Sequence, residues 1–114
     1  MANTFKNARL AVTSSNQTMY TNSSGGTALI LTLRVTNVDG ATDDTVTAQI
    51  YDNSASAATK VATKVASTIT VPADSSIELA GKSKLVLENG DYIQIQGGNS
   101  SGDLEAFASV LEIT

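Results

Sequence analysis

The stretch GDLEAFASVLEIT, residues 102–114, first alternates apolar and polar side chains and then changes phase. A spacing of two between apolar residues indicates a β-strand with one buried face. The residues that hold this spacing are Leu104, Ala106, Ala108 and Val110. Phe107, Leu111 and Ile113 have the opposite parity, so the chain ends with apolar side chains on both faces of the predicted strand.

Two structures would explain this change of phase. Phe107, Leu111 and Ile113 could lie on the outer face, where apolar side chains favour contact with a partner. A β-bulge near Ser109 or Val110 could instead turn Leu111 and Ile113 back toward the core. We predict the partner interface, because Phe107 precedes any such bulge, and a second subunit is the natural partner.

The same alternation predicts strands along most of the chain. The segments are ARLAVT with Ala8, Leu10 and Val12 inside, TALILTLRVTNV with Leu29, Leu31, Leu33 and Val35 inside, TVTAQIY with Val46, Ala48 and Ile50 inside, and DYIQIQ with Ile93 and Ile95 inside. In KVATKVASTITV the inward positions would be Val61, Val65, Ile69 and Val71, in one long strand or two short ones. A helix is the alternative for this last segment, but its β-branched residues favour a strand.

Turn residues separate these segments and set the fold class. Asn89-Gly90 is the strongest hairpin signal, because a type I′ turn needs positive φ at both central residues. About seven or eight strands at a spacing of roughly ten residues indicate an all-β fold. We predict one domain, residues 1–114, built as an antiparallel β-sandwich that is jelly-roll-like or Greek-key.

Composition and charge restrict the partners. The net charge is −4 and the seven basic residues are scattered, which argues against nucleic acid and anionic membranes. No apolar run approaches the 18 or so residues of a membrane span. The first residues, MANTFKNARL, lack the apolar core of a secretory signal.

The sequence also restricts the chemistry. It contains no His and no Cys, which excludes the usual Ser-His-Asp and Cys-His nucleophiles and all imidazole or thiolate metal sites. Paired carboxylates could still hydrolyse glycosides, but a small domain without Trp is poorly equipped to hold a sugar. We therefore predict no enzymatic activity, no catalytic residue, no cofactor and no metal site.

Two local features invite functional interpretations. Asp39, Asp43 and Asp44 share one loop, and oxygen-rich loops can bind calcium, but a solvated turn around Asp39-Gly40 is favoured. Phe5, Lys6 and Arg9 form an N-terminal arm that could contact an acidic neighbour, although chain termini often fray. With Phe107, Leu111 and Ile113, these three are the predicted interface residues.

Three stretches together resemble a protein family. They are TFKNA with MYTNSSGGTALILTLRVTNVDG, then ITVPADSSIELAGKSKLVLENGDYIQIQ, and finally GDLEAFASVLEI. Their layout is similar to that of small β-sandwich virion structural proteins of tailed bacteriophages, such as head-decoration (cement) or tail-associated proteins. The resemblance covers nearly the whole chain, but its motifs are turns and core positions, so no binding residue is carried over.

The resemblance implies a protein present in many copies in the virion, assembled in the host cytoplasm. It implies a homo-oligomer, with a trimer favoured, that binds the major capsid protein or other virion proteins and stabilises the shell. A tail, neck or baseplate component is one alternative. A receptor- or carbohydrate-binding module is another, and it predicts that Tyr20, Tyr51 and Tyr92 cluster at one loop edge.

Overall fold

The structure, a computed structural model, describes residues 2–52, 62–80, 84–98 and 103–114. These residues form nine β-strands and no helix. The strands are β1 (Asn3–Val12), β2 (Gln17–Thr21), β3 (Thr27–Asn37), β4 (Asp44–Tyr51), β5 (Ala62–Val71), β6 (Ser76–Glu78), β7 (Leu85–Leu87), β8 (Tyr92–Gly97) and β9 (Leu104–Ile113). They confirm the predicted all-β fold, and the strand count slightly exceeds the prediction.

The strands form two antiparallel sheets. Sheet A has the order β1-β9-β3-β6, with β7 also paired to β3, and sheet B has the order β2-β8-β4-β5. The chain is one long hairpin in which β1 pairs with β9, β2 with β8, β3 with β6 and β7, and β4 with β5. This hairpin is rolled up so that β9 also pairs with β3 and β8 with β4. Such a winding is a jelly roll, with β6 and β7 as two parts of one interrupted strand.

The core lies between the sheets and consists almost entirely of aliphatic side chains. Its largest members are fully buried, and each contributes about 1.5–3 kcal/mol through removal of apolar surface from water. They are Ile30, Leu33, Leu87, Ile93, Ile95 and Leu104. Within β9, the inward positions Leu104, Ala106, Ala108 and Val110 are all buried, as the sequence predicts.

A β-bulge changes which face of β3 is buried. The register of β3 against β9 shifts between Ile30 and Thr32, whereas β9 pairs with β1 without any shift. Ala28 and Ile30 are therefore buried before the bulge, and Leu33 and Val35 after it. The prediction that Leu29 and Leu31 face inward is wrong, because one extra residue in the strand reverses the parity of everything before it. The sequence offered a bulge in β9 as an alternative, but the bulge lies in the neighbouring strand β3.

β5 is one strand rather than two or a helix, over the residues the structure describes. Its pairing with β4 contains two register shifts, and Thr68 has a left-handed φ of 51°. Val71 is buried as predicted, but Ile69 is 41% exposed and Ala66 takes an inward position instead. Strict alternation fails here because bulges move the face that each residue presents. Val61 lies outside the described residues.

The Asn89-Gly90 turn exists but does not make a hairpin. The Asp91 amide donates to the carbonyl of Glu88 at 3.0 Å, and of the two central residues only Gly90 has a positive φ, of 96°. A type I′ turn would need positive φ at both. β7 pairs with β3 in sheet A and β8 belongs to sheet B, so the turn carries the chain from one sheet to the other.

A buried amide fixes the loop that precedes β3. Asn22 is fully buried, and its Nδ2 donates to the carbonyls of Gly26 at 3.0 Å and Leu87 at 2.9 Å. Its Oδ1 accepts from the Ser24 hydroxyl at 2.7 Å. Because buried polar groups are costly unless they are hydrogen-bonded, this network holds residues 22–26 against the end of β7.

Candidate interaction surface

The outer face of sheet A carries an unbroken row of apolar side chains. β9 lies between β1 and β3, and directly opposite residues of paired strands share a face. Phe5 lies opposite Leu111, Leu111 opposite Leu29, and Leu29 opposite Val86. We call these four residues the apolar row. It crosses β1, β9, β3 and β7, and at about 4.8 Å per strand it spans about 14 Å.

The apolar row is open to water. Phe5 is 73% exposed and Val86 56% exposed, while Leu111 and Leu29 are half-buried by their neighbours. Ile113, also half-buried, extends the patch along β9 because it lies two residues beyond Leu111 on the same face. Single exposed apolar residues are ordinary in soluble proteins, but a contiguous set on a regular sheet is typical of contact surfaces.

A second row on the same face combines both arginines of the sequence with an aromatic ring. Arg9 and Arg34 lie opposite Phe107 on its two sides. Phe107 is 39% exposed, and a shallow open depression beside it is bordered by Thr36 and Glu105. Arginine and aromatic residues are enriched in protein interfaces, because both bring large contact areas and the guanidinium adds hydrogen bonds.

Five of the six predicted interface residues lie on this one face. Phe5 and Arg9 come from β1, and Phe107, Leu111 and Ile113 from β9. Lys6 lies on the opposite face of β1, where its Nζ contacts Oε1 of Glu112 at 3.2 Å. Three other residues of this face were not predicted from the sequence: Leu29, Val86 and Arg34. Four successive apolar residues, positions 28–31, were the available sign that β3 could present side chains on both faces.

Glu112 continues the inward parity of β9 and is buried among polar partners. Its Oε2 accepts a hydrogen bond of 2.5 Å from the Tyr20 hydroxyl, which reaches across from sheet B. The Tyr20 hydrogen bond, assisted by Lys6, lowers the pKa of Glu112 below its ordinary value despite burial. Burial, and then the bond to Glu112 and its charge, raise the pKa of Tyr20 above its ordinary value. The pair is therefore a neutral phenol donating to a carboxylate.

The acidic loop does not gather its carboxylates around one point. Asp39 Oδ1 accepts from the Ala41 amide at 2.8 Å, and Asp43 Oδ1 from the Ala73 amide at 3.0 Å. Asp44 is buried, with Oδ1 accepting from the Thr45 amide at 2.7 Å. Among the described residues, no group of three or more acidic side chains is arranged to hold a metal ion. Asp39 thus closes a turn within the loop, Asp43 joins the loop to the residues that follow β5, and Asp44 bonds the amide next to it.

The outer face of sheet B has a different chemistry, made of amides, hydroxyls and tyrosine rings. Tyr51 and Tyr92 lie opposite each other and stack, with ring centroids 4.8 Å apart and planes 15° apart. Beside them, Gln49 Nε2 donates to Oε1 of Gln94 at 2.8 Å. Tyr20 does not join this pair, since its hydroxyl is bonded to Glu112 in the interior. The two outer faces of the domain therefore suit different partners.

The described residues contain no helix long and apolar enough to cross a membrane.

Comparisons with known proteins yield a likeness of fold. No protein-family model and no curated protein sequence matches the chain. A solved structure described as "Bacillus endospore appendages form a novel family of disulfide-linked pili" superposes with a TM-score of 0.50 and 15% identity, over 96% of this chain and 85% of that one. Another, described as "Crystal structure of infectious bursal disease virus VP2 subviral particle", has a TM-score of 0.40 and 16% identity over 96% of this chain and 32% of that one. The chain thus shares an all-β architecture with the pilus protein.

Proposed function

We propose that this chain is a non-enzymatic structural protein whose copies assemble, with the outer face of sheet A as a contact surface. The apolar row is the observation that carries the proposal. Phe5, Leu111, Leu29 and Val86 form one band across four strands, and two of them are more than half exposed in the single chain. Burying such a band against another copy stabilises the contact by about 25 cal/mol for each Å² of apolar area removed from water.

The size of the face indicates how such an assembly would hold together. Four strands at about 4.8 Å and ten residues at about 3.3 Å give a planar area of roughly 600 Å². A specific interface of standard size buries about 800 Å² on each partner. One contact through this face is therefore modest, and repeated contacts between many copies would supply the stability through multivalency.

The contacts between copies would be non-covalent. The pilus protein that shares this fold is described as forming disulfide-linked appendages. This chain has no Cys, so it cannot form that link with its own residues. Apolar burial, hydrogen bonds and ion pairs remain as the means of assembly.

Within this class, we propose a virion protein of a tailed bacteriophage, most specifically a capsid decoration protein that stabilises the shell. The resemblance of the sequence layout supports this narrower proposal, and a jelly roll is a common fold of capsid proteins. A tail, neck or baseplate component is the alternative. Mixing the purified protein with phage heads that lack decoration, followed by electron microscopy, should show it at regular surface positions; density only at the tail would favour the alternative.

The outer face of sheet A is tested by the double variant Leu111→Ser/Val86→Ser. Each change removes an apolar contact worth about 1.5 kcal/mol or more when fully buried, so the association constant should fall at least tenfold for each change. Sedimentation velocity over a range of concentrations would measure it. Ile69→Ser is the matched control, because Ile69 is 41% exposed but lies in β5 of sheet B.

If the double variant and the control associate equally, the apolar row is not the contact surface. Circular dichroism would establish that both variants remain folded.

One observation favours binding of a carbohydrate as a second function. The stacked Tyr51 and Tyr92 rings lie beside the amides of Gln49 and Gln94, and rings with neighbouring amides suit the apolar faces and hydroxyls of sugars. A glycan array should then show binding that Tyr92→Ala abolishes. Binding that survives this change, or no binding to any glycan, would remove this candidate.

A further inference from the structure

β1 is an edge strand whose outward backbone groups can be assigned. Ala2 and Thr114 exchange both of their backbone hydrogen bonds, each at 2.9 Å. In an antiparallel ladder such pairs alternate with pairs that do not bond, and β1 pairs with β9 from Asn3 to Val12 without a shift. The even-numbered residues therefore bond to β9, and the odd-numbered residues direct their N–H and C=O groups away from it. The odd-numbered residues are Asn3, Phe5, Asn7, Arg9 and Ala11.

An independent contact supports this assignment. A Cβ placed on Gly26, which precedes β3, would lie 2.1 Å from the carbonyl oxygen of Ile113. That carbonyl therefore points toward β3, and the odd-numbered residues of β9 bond on that side. The even-numbered residues of β9 therefore form their backbone hydrogen bonds with β1, in agreement with the Ala2–Thr114 pair.

The other edges in the described part of the chain are all interrupted. β2 has five residues and a register shift, and β6 and β7 have three residues each. β5 is long, but it has two register shifts and a left-handed Thr68. Short, bulged or broken edges are the usual protection against unwanted strand pairing. Over the described residues, β1 alone is long, regular and free of Pro.

At the end of β6, a side chain takes part in the hydrogen bonding to β3. Oε2 of Glu78 accepts from the backbone amide of Leu33 at 2.6 Å, and the carbonyl of Leu33 accepts from the amide of Leu79 at 2.7 Å. On the outward side of β1, the described part of the chain supplies no second strand, since β1 pairs with β9 alone.

We propose that β1 pairs with β1 of a second copy, antiparallel and about a two-fold axis at Asn7, so that the two A sheets become continuous. A long regular edge gains the most hydrogen bonds from another long regular edge, and within the described chain only another β1 offers one. Two-fold contacts of a surface with itself are also the commonest in homo-oligomers. The inference rests on the self-assembly proposed above but concerns a different surface.

The register centred on Asn7 uses the whole edge. It places Asn3 opposite Ala11 of the second copy and Phe5 opposite Arg9 of the second copy. All five odd-numbered residues then meet odd-numbered residues, which gives about ten hydrogen bonds, two for each pair.

The side chains tolerate this register. Each Phe5 ring lies beside a guanidinium, a favourable neighbour for an aromatic face. The two Arg9 residues are about 13 Å apart along the strands, which keeps their charges separated. Lys6, a residue type that often protects edges, is held toward Glu112 on the other face of β1.

Single cysteines test the register, because the chain has none of its own. In a hydrogen-bonded pair the two Cα atoms are about 5.5 Å apart, within the range that a disulfide spans. Asn7→Cys should therefore give a cross-linked dimer under mild oxidation, at least tenfold faster than Asn3→Cys or Ala11→Cys alone. A mixture of the last two variants should cross-link to each other. Equal rates for all single variants, or none, would overturn the proposal.

Proline at the same position tests the backbone pairing. Asn7→Pro removes an N–H that points away from β9, so the fold should persist, whereas any pairing through β1 should weaken at least tenfold in sedimentation. Asn7→Ala keeps the N–H and is the control. A dimer that tolerates Asn7→Pro as well as Asn7→Ala does not pair through this edge.

The experiments distinguish failure of the outer-face contact from failure of the edge pairing. Cross-linking of Asn7→Cys that persists in a Leu111→Ser/Val86→Ser background, with loss of larger species, supports both. Loss of larger species without cross-linking removes edge pairing and leaves the outer-face contact. Cross-linking with no effect of the double variant removes the outer-face contact and leaves edge pairing.

Discussion

Gly26→Ala is expected to lower the free energy of unfolding by about 3 kcal/mol or more, the upper range for a side chain forced into a filled space. The added Cβ would lie 2.1 Å from the carbonyl oxygen of Ile113 and 3.1 Å from Cα of Thr114. Both are backbone atoms, which cannot rotate away as a flexible side chain can. β3 and β9 would have to separate where they begin to pair, and these are the two central strands of sheet A. Urea denaturation followed by circular dichroism would measure the loss.

Gly25→Ala is the matched control for this effect. Gly25 has a φ of 85°, but no atom lies within 4 Å of the position where its Cβ would be. The left-handed backbone alone costs an alanine about 1–2 kcal/mol. Gly26→Ala should therefore be clearly the more destabilising of the two neighbours. If both cost the same, the close approach of Gly26 to β9 does not contribute to stability.

The alternation of residues 104–110 was sufficient to predict the buried face of β9. Its continuation could not be predicted, because the next inward residue is Glu112, a charged side chain. Burial of this carboxylate depends on Tyr20, 92 positions away in the sequence. A local pattern contains no information about such a partner, so the sequence favoured an outward Leu111 only through Phe107 and did not exclude a bulge in β9.

The buried face of β3 could not be predicted from alternation. Residues 28–31 are apolar at both parities, so the sequence could not indicate which of them face the core. The bulge between Ile30 and Thr32 decides it, and bulges arise from the fit of a strand to its neighbours. The same limit applies to Asn89-Gly90, where a turn was predicted correctly, but its type and the sheet to which each flanking strand belongs were not.

The candidate surface was predicted only in part, because strand pairing between distant parts of the sequence brings some of its residues together. Phe107, Leu111 and Ile113 belong to one strand, so their shared face could be predicted from parity. Phe5 and Arg9 reach that face because β1 pairs with β9, a contact between the two ends of the described chain. Leu29 and Val86 complete the apolar row through pairings of the same non-local kind.

Tyr20→Phe is expected to lower the free energy of unfolding by about 1.5–3 kcal/mol, the usual range for a hydrogen bond to a charged group. The change deletes the hydroxyl that donates to Glu112 and leaves that buried carboxylate with Lys6, which is 54% exposed. Tyr92→Phe is the matched control, because it removes a hydroxyl from a half-buried ring on the outer face of sheet B. Lys6→Ala should lower the free energy of unfolding less, by about 0–1 kcal/mol, because the lysine side of this ion pair is exposed to solvent.

The pH dependence distinguishes this hydrogen bond from simple loss of packing. The Tyr20 bond lowers the pKa of Glu112 in the folded state, so its contribution is present above the ordinary glutamate pKa of about 4.3 and is lost as pH falls through the folded value. The raised pKa of Tyr20 makes its contribution complete below about pH 10, and that contribution is lost as pH rises further.

The difference in unfolding free energy between Tyr20→Phe and the unmodified protein should accordingly be greatest from about pH 5 to pH 9 and shrink on both sides. In the variant, burial still disfavours the charged carboxylate and only Lys6 opposes it, so the pKa of Glu112 should rise and acid unfolding should begin at higher pH. Urea titrations at a series of pH values would follow this. A difference that stays constant from pH 3 to pH 11 would mean that Tyr20 stabilises the fold through its ring alone.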